Sequence, residues 1–140
     1  MALTFALKLI APVGILFEGE VEEATAQSPL GEFGVLAQHI DFLTALVPGI
    51  LTLSLPDLSF KHFIVEGGLA EVKDGKMTIL APGAAEAIGL DRTAAARELE
   101  AAAERISRMS FYETEYQDAQ RRLLLAQAKV AAAELKSVRP

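Results

Sequence analysis

A cluster of glutamates near the start of the chain is the first group of side chains whose type and spacing could support chemistry. Its members are Glu18, Glu20, Glu22 and Glu23. Two carboxylates that share a cleft can act as a general acid and a general base. Most of these glutamates fall on alternate positions, however, and alternate positions of a strand point to one face. We therefore expect a solvated acidic face here rather than a catalytic pair.

Other residues that could carry out chemistry are sparse. The chain has no Cys, which excludes disulfides, thiolate metal sites and a thiol nucleophile. Its two histidines, His39 and His62, are too few for a histidine-based metal cluster. The sequence contains neither a Gly-rich phosphate loop with Lys nor a nucleophile elbow. These observations predict a non-catalytic protein with no metal site and no cofactor.

The distribution of charge bears on partners and on domain organisation. The net charge of −6 argues against binding to nucleic acid or to anionic lipid. Residues 1–89 carry 11 acidic and 4 basic side chains, whereas residues 90–140 carry 8 acidic and 9 basic ones and are richer in Ala. We therefore predict two domains, residues 1–87 and residues 88–140.

No segment of the sequence is expected to span a membrane or to act as a secretory signal. The longest apolar stretch, Phe42–Pro56, is interrupted by Pro48-Gly49 and falls short of the ~20 residues that a spanning helix needs. Met1–Phe17 lacks the basic start and the unbroken apolar run of a secretory signal.

Short strand signals separated by turn residues dominate the first domain. Apolar residues alternate in Thr4–Ile10 and again in Ile50–Leu55. Asp74-Gly75 favours a two-residue hairpin turn between Leu69–Lys73 and Lys76–Ala81. Further strands are predicted at Ile15–Phe17, Val21–Gln27 and Phe60–Val65, the last of them ended by Gly67-Gly68. No helix-length segment separates the strands, which favours a sandwich or barrel with mostly antiparallel pairing. We predict a two-sheet antiparallel β-sandwich.

The second domain has a helical period. Asp91 is a good N-cap for an Ala-rich helix over Arg92–Arg108, and Ser110–Glu113 fits a capping box that should start a second helix. Apolar residues of the second helix repeat in heptad steps, and the short connection implies antiparallel neighbours. We predict an antiparallel two-helix hairpin. Because Ala offers little apolar area, the hairpin could be either a fixed appendage or a mobile element.

Several short motifs follow one another in an order that resembles a known family. Gly31–Leu36, followed by His39, resembles the Gly-Glu-(hydrophobic)-Gly-(aliphatic) loop and later His of the epsilon subunits of F-type ATP synthases. Further resemblances to that family, in the same order, are Leu43–Gly49, Glu66–Val72, Thr78–Ala81 and Leu90-Asp91. The chain departs from the family at Ala37 and Asp41, where Pro is usual or frequent.

The resemblance implies a non-catalytic subunit of the central rotor. Its sandwich would bind the γ subunit and the c-ring, so that proton translocation is coupled to ATP synthesis. Its hairpin would fold against the sandwich or extend along γ into the catalytic α/β head, where it inhibits ATP hydrolysis. Such a subunit lies at the cytoplasmic face of the bacterial inner membrane and is held there only through the complex. The alternative is a free-standing adaptor or chaperone-like protein that binds partners with its hairpin.

The resemblance also implies roles for particular residues. A loop that contacts the c-ring and γ would comprise Gly31, Glu32, Phe33, Gly34 and His39. The two glycines would allow a tight loop with positive φ. By residue type alone, Phe33 is either a core plug or an exposed contact, and His39 is a structural or surface histidine. The regulatory bases of the hairpin would be Arg105, Arg108, Arg121 and Arg122.

Nucleotide binding is expected to be weak or absent. Some members of the family bind ATP through an (Ile/Leu)-Asp-x-x-Arg-Ala motif, of which Asp91 matches the acid and Arg92 is a neighbouring base. Ala94 stands at the Arg position, and Leu125 and Lys129 stand where the second helix would offer Arg. An aliphatic side chain cannot pair with phosphate, and Lys lacks the bidentate guanidinium fork.

Overall fold

A computed structural model describes residues 3–137 of the chain, which form strands first and helices afterwards. The strands are β1 (Phe5–Ala11), β2 (Gly14–Val21), β3 (Glu23–Ser28), β4 (Gly31–Leu36), β5 (Phe42–Ser54), β6 (Phe60–Lys73), β7 (Lys76–Leu80) and β8 (Ala84–Glu86). A short 3-10 helix (Ala87–Gly89) follows, and then come the helices α1 (Arg92–Ser107) and α2 (Tyr116–Ser137). The predicted β-sandwich followed by a helical hairpin is confirmed.

The strands are hydrogen-bonded in the order β2-β1-β7-β6-β5-β3-β4, and β8 pairs with the free side of β6. One pair departs from the antiparallel expectation, because β1 and β7 are parallel, with Leu9 opposite Ile79. A parallel pair needs a long crossover, and the five intervening strands supply it. The predicted turn at Asp74-Gly75 joins β6 to β7, with φ of 52° and 76° at its two residues.

Two long strands divide the sheet into two layers. β5 and β6 have 13 and 14 residues and pair along their length, with an irregularity at Val47. The hairpin-side layer contains β4, β3, the second half of β5, the first half of β6, and β8. The open layer contains β2, β1, β7 and the remaining halves of β5 and β6. The predicted strand start at Ile50 and the predicted strand end before Gly67-Gly68 are therefore wrong, because β5 and β6 continue through these positions into the other layer.

The core lies between the two layers and is built by strict alternation. In β1, Phe5, Leu7 and Leu9 are buried, and the residues between them are half-buried on the outer face. In β5 and β6, both faces of the strand are apolar. Leu51 and Phe63 enter this core, while Ile50 and Ile64 face the helices. The sandwich and the hairpin contact therefore have separate apolar clusters.

The first helix begins as predicted and the second does not. Asp91 Oδ1 accepts hydrogen bonds from the backbone N–H groups of Thr93 (2.9 Å) and Ala94 (3.3 Å), which caps α1. Ser110 N–H does donate to Glu113 Oε2, but the Ser110 hydroxyl accepts from Tyr112 N–H at 3.3 Å. That bond to the second following residue closes a turn instead of a capping box, so the predicted start at Ser110 is wrong and α2 begins at Tyr116.

The helices are antiparallel and are joined mainly by Ala and by ion pairs. Lys129 Nζ lies 2.8 Å from Glu98 Oε2, and Arg105 lies 3.8 Å from both Glu115 and Asp118. A different face of α2 places its alanines on the hairpin-side layer. That apolar contact consists of Ala128 and Ala132 against Ile64 and Ala87, with Ile50, Leu90 and Leu125 at its margin.

Candidate partner-binding surfaces

A line of apolar side chains crosses the outer face of the open layer. The strand register places one residue from each of five strands side by side. This apolar row consists of Ala45, Leu69, Leu80, Ile10 and Ile15. Leu69, Leu80 and Ile15 are 46%, 49% and 54% exposed, although β-sheet faces in water normally alternate apolar inside with polar outside.

The apolar row is extended at its margins and framed by charge. Leu43 (65% exposed) lies beside it on β5, and Val13 (85% exposed) lies in the β1–β2 turn. Beyond Leu43, the neighbouring line of residues is polar and includes an ion pair between Lys8 and Glu18 at 3.4 Å. Because the hairpin covers the other layer, no described helix shields the row. A contiguous apolar patch with a polar rim is typical of a protein-binding surface.

The segment predicted to be a contact loop is a strand. Residues Gly31–Leu36 form β4, the sheet edge, and pair with β3 from Gln27↔Glu32 to Glu23↔Leu36. The loop prediction is wrong because Phe33 and Val35 alternate inward, which suits a strand. Gly31 has the predicted positive φ of 118°, but Gly34 has extended backbone like any strand residue.

The structure places the predicted contact residues along one edge rather than at one point. Glu32 is exposed beside the β3–β4 turn and accepts a hydrogen bond from Gln27 Nε2 at 3.1 Å. His39 follows the turn at the other end of β4, where its backbone N–H donates to the Leu36 carbonyl at 3.2 Å. Phe42 lies between Phe33 and His39, with ring centroids 5.7 Å and 5.0 Å away. Phe33 is half-buried and packs against the core.

The predicted regulatory bases are engaged, mostly inside the hairpin. Arg108 pairs with Glu104 at 2.6 Å, Arg122 pairs with Asp118 at 3.0 Å, and Arg105 lies between two acids. Arg121 differs, because its Nη2 donates to the backbone carbonyl of Glu66 at 3.3 Å and so joins α2 to the sandwich.

A cleft of about 600 Å³ separates the hairpin from the sandwich next to these bases. Its charged wall residues are Glu66, Glu98, Arg105, Asp118, Arg121 and Arg122. The acids offset the arginines, so the cleft offers little net attraction to a phosphate. Asp91 and Arg92 lie outside it, and the Asp91 carboxylate is already occupied as the cap of α1.

His62 lies on the outer face of the hairpin-side layer. Its Nδ1 is 2.9 Å from Thr52 Oγ1, and its ring stacks on Phe60 with centroids 6.5 Å apart. Burial lowers the pKa of His62, so the imidazole is neutral at pH 7. Within the described residues, no group of three or more His, Cys, Asp or Glu is arranged to hold a metal ion.

Comparison with known proteins assigns the family. Residues 4–87 match the model of the ATP synthase delta/epsilon chain β-sandwich domain. The chain belongs to the ATP synthase epsilon-chain family. The epsilon chain of Afipia carboxidovorans is 43% identical over 97 residues, which are 69% of this chain and 71% of the relative. The epsilon chain of Nitratiruptor sp. is 32% identical over 99 residues, which are 71% and 77% of the two chains.

Solved structures agree with this membership of the epsilon family. A chain of the Euglena gracilis mitochondrial ATP synthase OSCP/F1/c-ring structure superposes with a TM-score of 0.80 and 26% identity. The match covers 92% of this chain and 81% of that one. A chain of the Tetrahymena thermophila central stalk and c-ring structure shares the fold, with a TM-score of 0.59 and 15% identity. Neither α-helix in the described part of the chain is long and apolar enough to cross a membrane.

The apolar row of this epsilon chain is the surface that sequence reasoning missed. Its residues come from five strands, so no local window of sequence contains them. Ile10 and Leu80 are single aliphatic residues on outer strand faces that also carry Lys8, Lys76 and Thr78, so neither strand alone has the doubly apolar pattern that indicates cover on both sides.

Proposed function

We propose that this epsilon chain is a non-catalytic subunit of the central rotor of an ATP synthase, with the apolar row as its γ-binding surface. The observation that carries the proposal is the apolar row itself, which crosses five strands of the open layer and is left uncovered by the hairpin. Burial of that row against a partner would remove apolar surface from water, which favours association. The epsilon-family membership and the likeness to rotor structures supply the partner.

The remaining surfaces support a place between γ and the membrane ring. The β3–β4 turn and Glu32 are exposed at one end of the edge strand, and Leu30 in that turn is fully exposed. We assign this end to the c-ring, so that γ and the ring are linked through one rigid sandwich and proton flow is coupled to ATP synthesis. Bacterial relatives support a position at the cytoplasmic face of the inner membrane, with attachment through the complex alone.

The proposed domain division gives the hairpin a separate task. Residues 1–87 would bind the rotor, and residues 88–140 would act as a brake on ATP hydrolysis when they leave the sandwich for the α/β head. The small size of the alanine contact and the single hydrogen bond from Arg121 support this assignment, because a limited contact can be exchanged for one of similar strength in the head.

Binding to purified γ tests the apolar row directly. The double variant Leu69→Glu with Leu80→Glu should lower affinity for γ by about a hundredfold, since it places two charges in the centre of the buried surface. Both side chains are about half exposed, so the fold should persist. Leu124→Glu with Leu135→Glu is a matched control, because these two leucines are 40% and 43% exposed on α2, away from the row. Titration calorimetry in which the double variant binds γ as well as the control does would refute the assignment.

A further inference from the structure

A groove of about 520 Å³ opens at the end of the sandwich where β4 stops and β6 starts. Four large apolar side chains line it while remaining exposed to solvent. They are Leu3 (62%), Leu36 (58%), Leu58 (85%) and Phe60 (56%). Isolated exposed leucines are ordinary on protein surfaces, but four that converge on one concave site are typical of a binding site.

The turn that carries Leu58 is held in place by hydrogen bonds. Asp57 Oδ1 accepts from both the hydroxyl (2.5 Å) and the backbone N–H (3.0 Å) of Ser59. The Ser59 hydroxyl, followed by its N–H, keeps the pKa of Asp57 below its ordinary value. Leu55 N–H also donates to the Ser59 carbonyl at 2.9 Å. Leu58 adopts a φ of +71°, which is unusual for a bulky residue, so an ordered turn presents its side chain to the groove.

The polar part of the groove is acidic. Glu22 and Glu23 line it and are half-buried at the junction of β2 and β3. Among the described residues, no Lys or Arg lies within ion-pair distance of either carboxylate, whereas the nearby Lys61 is paired with Glu86 at 3.4 Å. Two half-buried carboxylates beside an apolar surface favour a partner that brings positive charge to that position.

We propose that this groove binds an amphipathic helix of a partner protein, with large apolar side chains on one face flanked by Lys or Arg. The apolar lining comes from three separate segments of the chain and provides anchor points rather than a strand edge, which suits the helix-in-groove mode. Glu22 and Glu23 would pair with the flanking bases. The groove does not share residues with the apolar row, so this second interaction stands or falls independently of γ binding.

The test uses the full chain and two synthetic helical peptides of about 18 residues. The first has a Leu face flanked by Lys, and the second has the same Leu face flanked by Glu. We expect saturable binding of the Leu/Lys peptide, with NMR shift changes centred on Leu36, Leu58 and Phe60. Leu58→Asp should weaken that binding by about tenfold or more. Glu22→Gln with Glu23→Gln should weaken it several-fold and flatten its dependence on salt.

The control is the double variant Leu69→Glu with Leu80→Glu, which should bind the Leu/Lys peptide like the parent chain. Equal binding of the Leu/Glu peptide, or shift changes centred on the apolar row, would overturn the proposal. So would self-association of the chain through the groove, seen as a Leu58-dependent dimer by sedimentation. Leu58 is mostly exposed, and circular dichroism of Leu58→Asp verifies that the variant is folded before its affinity is interpreted.

Discussion

Gly68 occupies a position in β6 where a side chain would collide with the neighbouring strand. A Cβ there would lie 2.0 Å from the Leu80 carbonyl oxygen, and the backbone has a φ of +119°. Gly68→Ala therefore combines backbone strain with overpacking and should cost about 2–5 kcal/mol of unfolding free energy. Gly75→Ala is the control, because that residue shares a positive φ but has nothing within 4 Å of the added Cβ. The urea midpoint of Gly68→Ala should be well below that of Gly75→Ala. Equal midpoints would contradict the steric argument.

Glu32 and Phe33 are neighbours in sequence with separable roles. Phe33 packs on Phe42 and the core, so Phe33→Ala should cost about 1–3 kcal/mol of unfolding free energy. This cost does not depend on whether β4 contacts a partner protein. Glu32 is exposed and has Gln27 as its hydrogen-bond partner, so Glu32→Ala should leave the unfolding midpoint unchanged. We expect Glu32→Ala to lower ATP-driven proton pumping by the reconstituted complex.

Gln27→Ala is the matched control for Glu32→Ala, since it removes the same hydrogen bond and keeps the carboxylate. If pumping falls equally in both variants, the hydrogen bond matters rather than a contact from Glu32. If pumping falls in neither, the c-ring assignment of this end of β4 is wrong.

At the scale of elements, local signals predict local structure well and relations between strands poorly. Asp74-Gly75 and Asp91 specify a turn and a cap with their own atoms, and both predictions are correct. Pro48-Gly49 and Gly67-Gly68 do mark backbone irregularities. Pro48 lies opposite Glu66, however, so the irregularities of β5 and β6 are neighbours in the sheet. The two strands therefore bend together at this point and neither strand ends there. Only the strand register, which is a property of two segments, decides between a bend and a reversal.

The predicted contact segment shows the same limit. Gly31 supplies the positive φ of a turn, but the rest of the segment has enough inward alternation to pair with β3. The chemical identity of the exposed residues could be read from the sequence. Their distribution along an edge, with Glu32 at one end and His39 past the other, depends on that pairing. The groove at Leu58 and Phe60 depends on the meeting of these residues with separate segments at Leu3, Glu22 and Leu36, so no short window of sequence contains it.

At the scale of the whole molecule, the sandwich and the hairpin are stabilised by different groups. The cluster inside the sandwich contains residues 5–81 alone, while the hairpin contact adds mainly Ala128 and Ala132 against Ile64. Removal of the hairpin would expose Ile64 and further uncover Ile50, at a cost of up to ~1.5–3 kcal/mol each. The larger cluster would remain buried. The sandwich should therefore fold without the hairpin, although with reduced stability.

Deletion of the residues after Ile88 tests the brake that we propose. The truncated chain should stay folded and bound to γ, because the apolar row and the inner core are untouched. ATP hydrolysis by its reconstituted complex should rise while coupled synthesis continues, since the deletion removes the element that would enter the head.

Ala132→Glu makes the opposite change, because it places a charge in the fully buried alanine contact and frees an intact hairpin. Ala132→Glu should therefore lower ATP hydrolysis, because it favours the extended hairpin even when no ligand is bound. A permanently docked hairpin predicts a truncated sandwich of low stability and no rise in hydrolysis. ATPase rates that move in the same direction in both variants would rule out the brake.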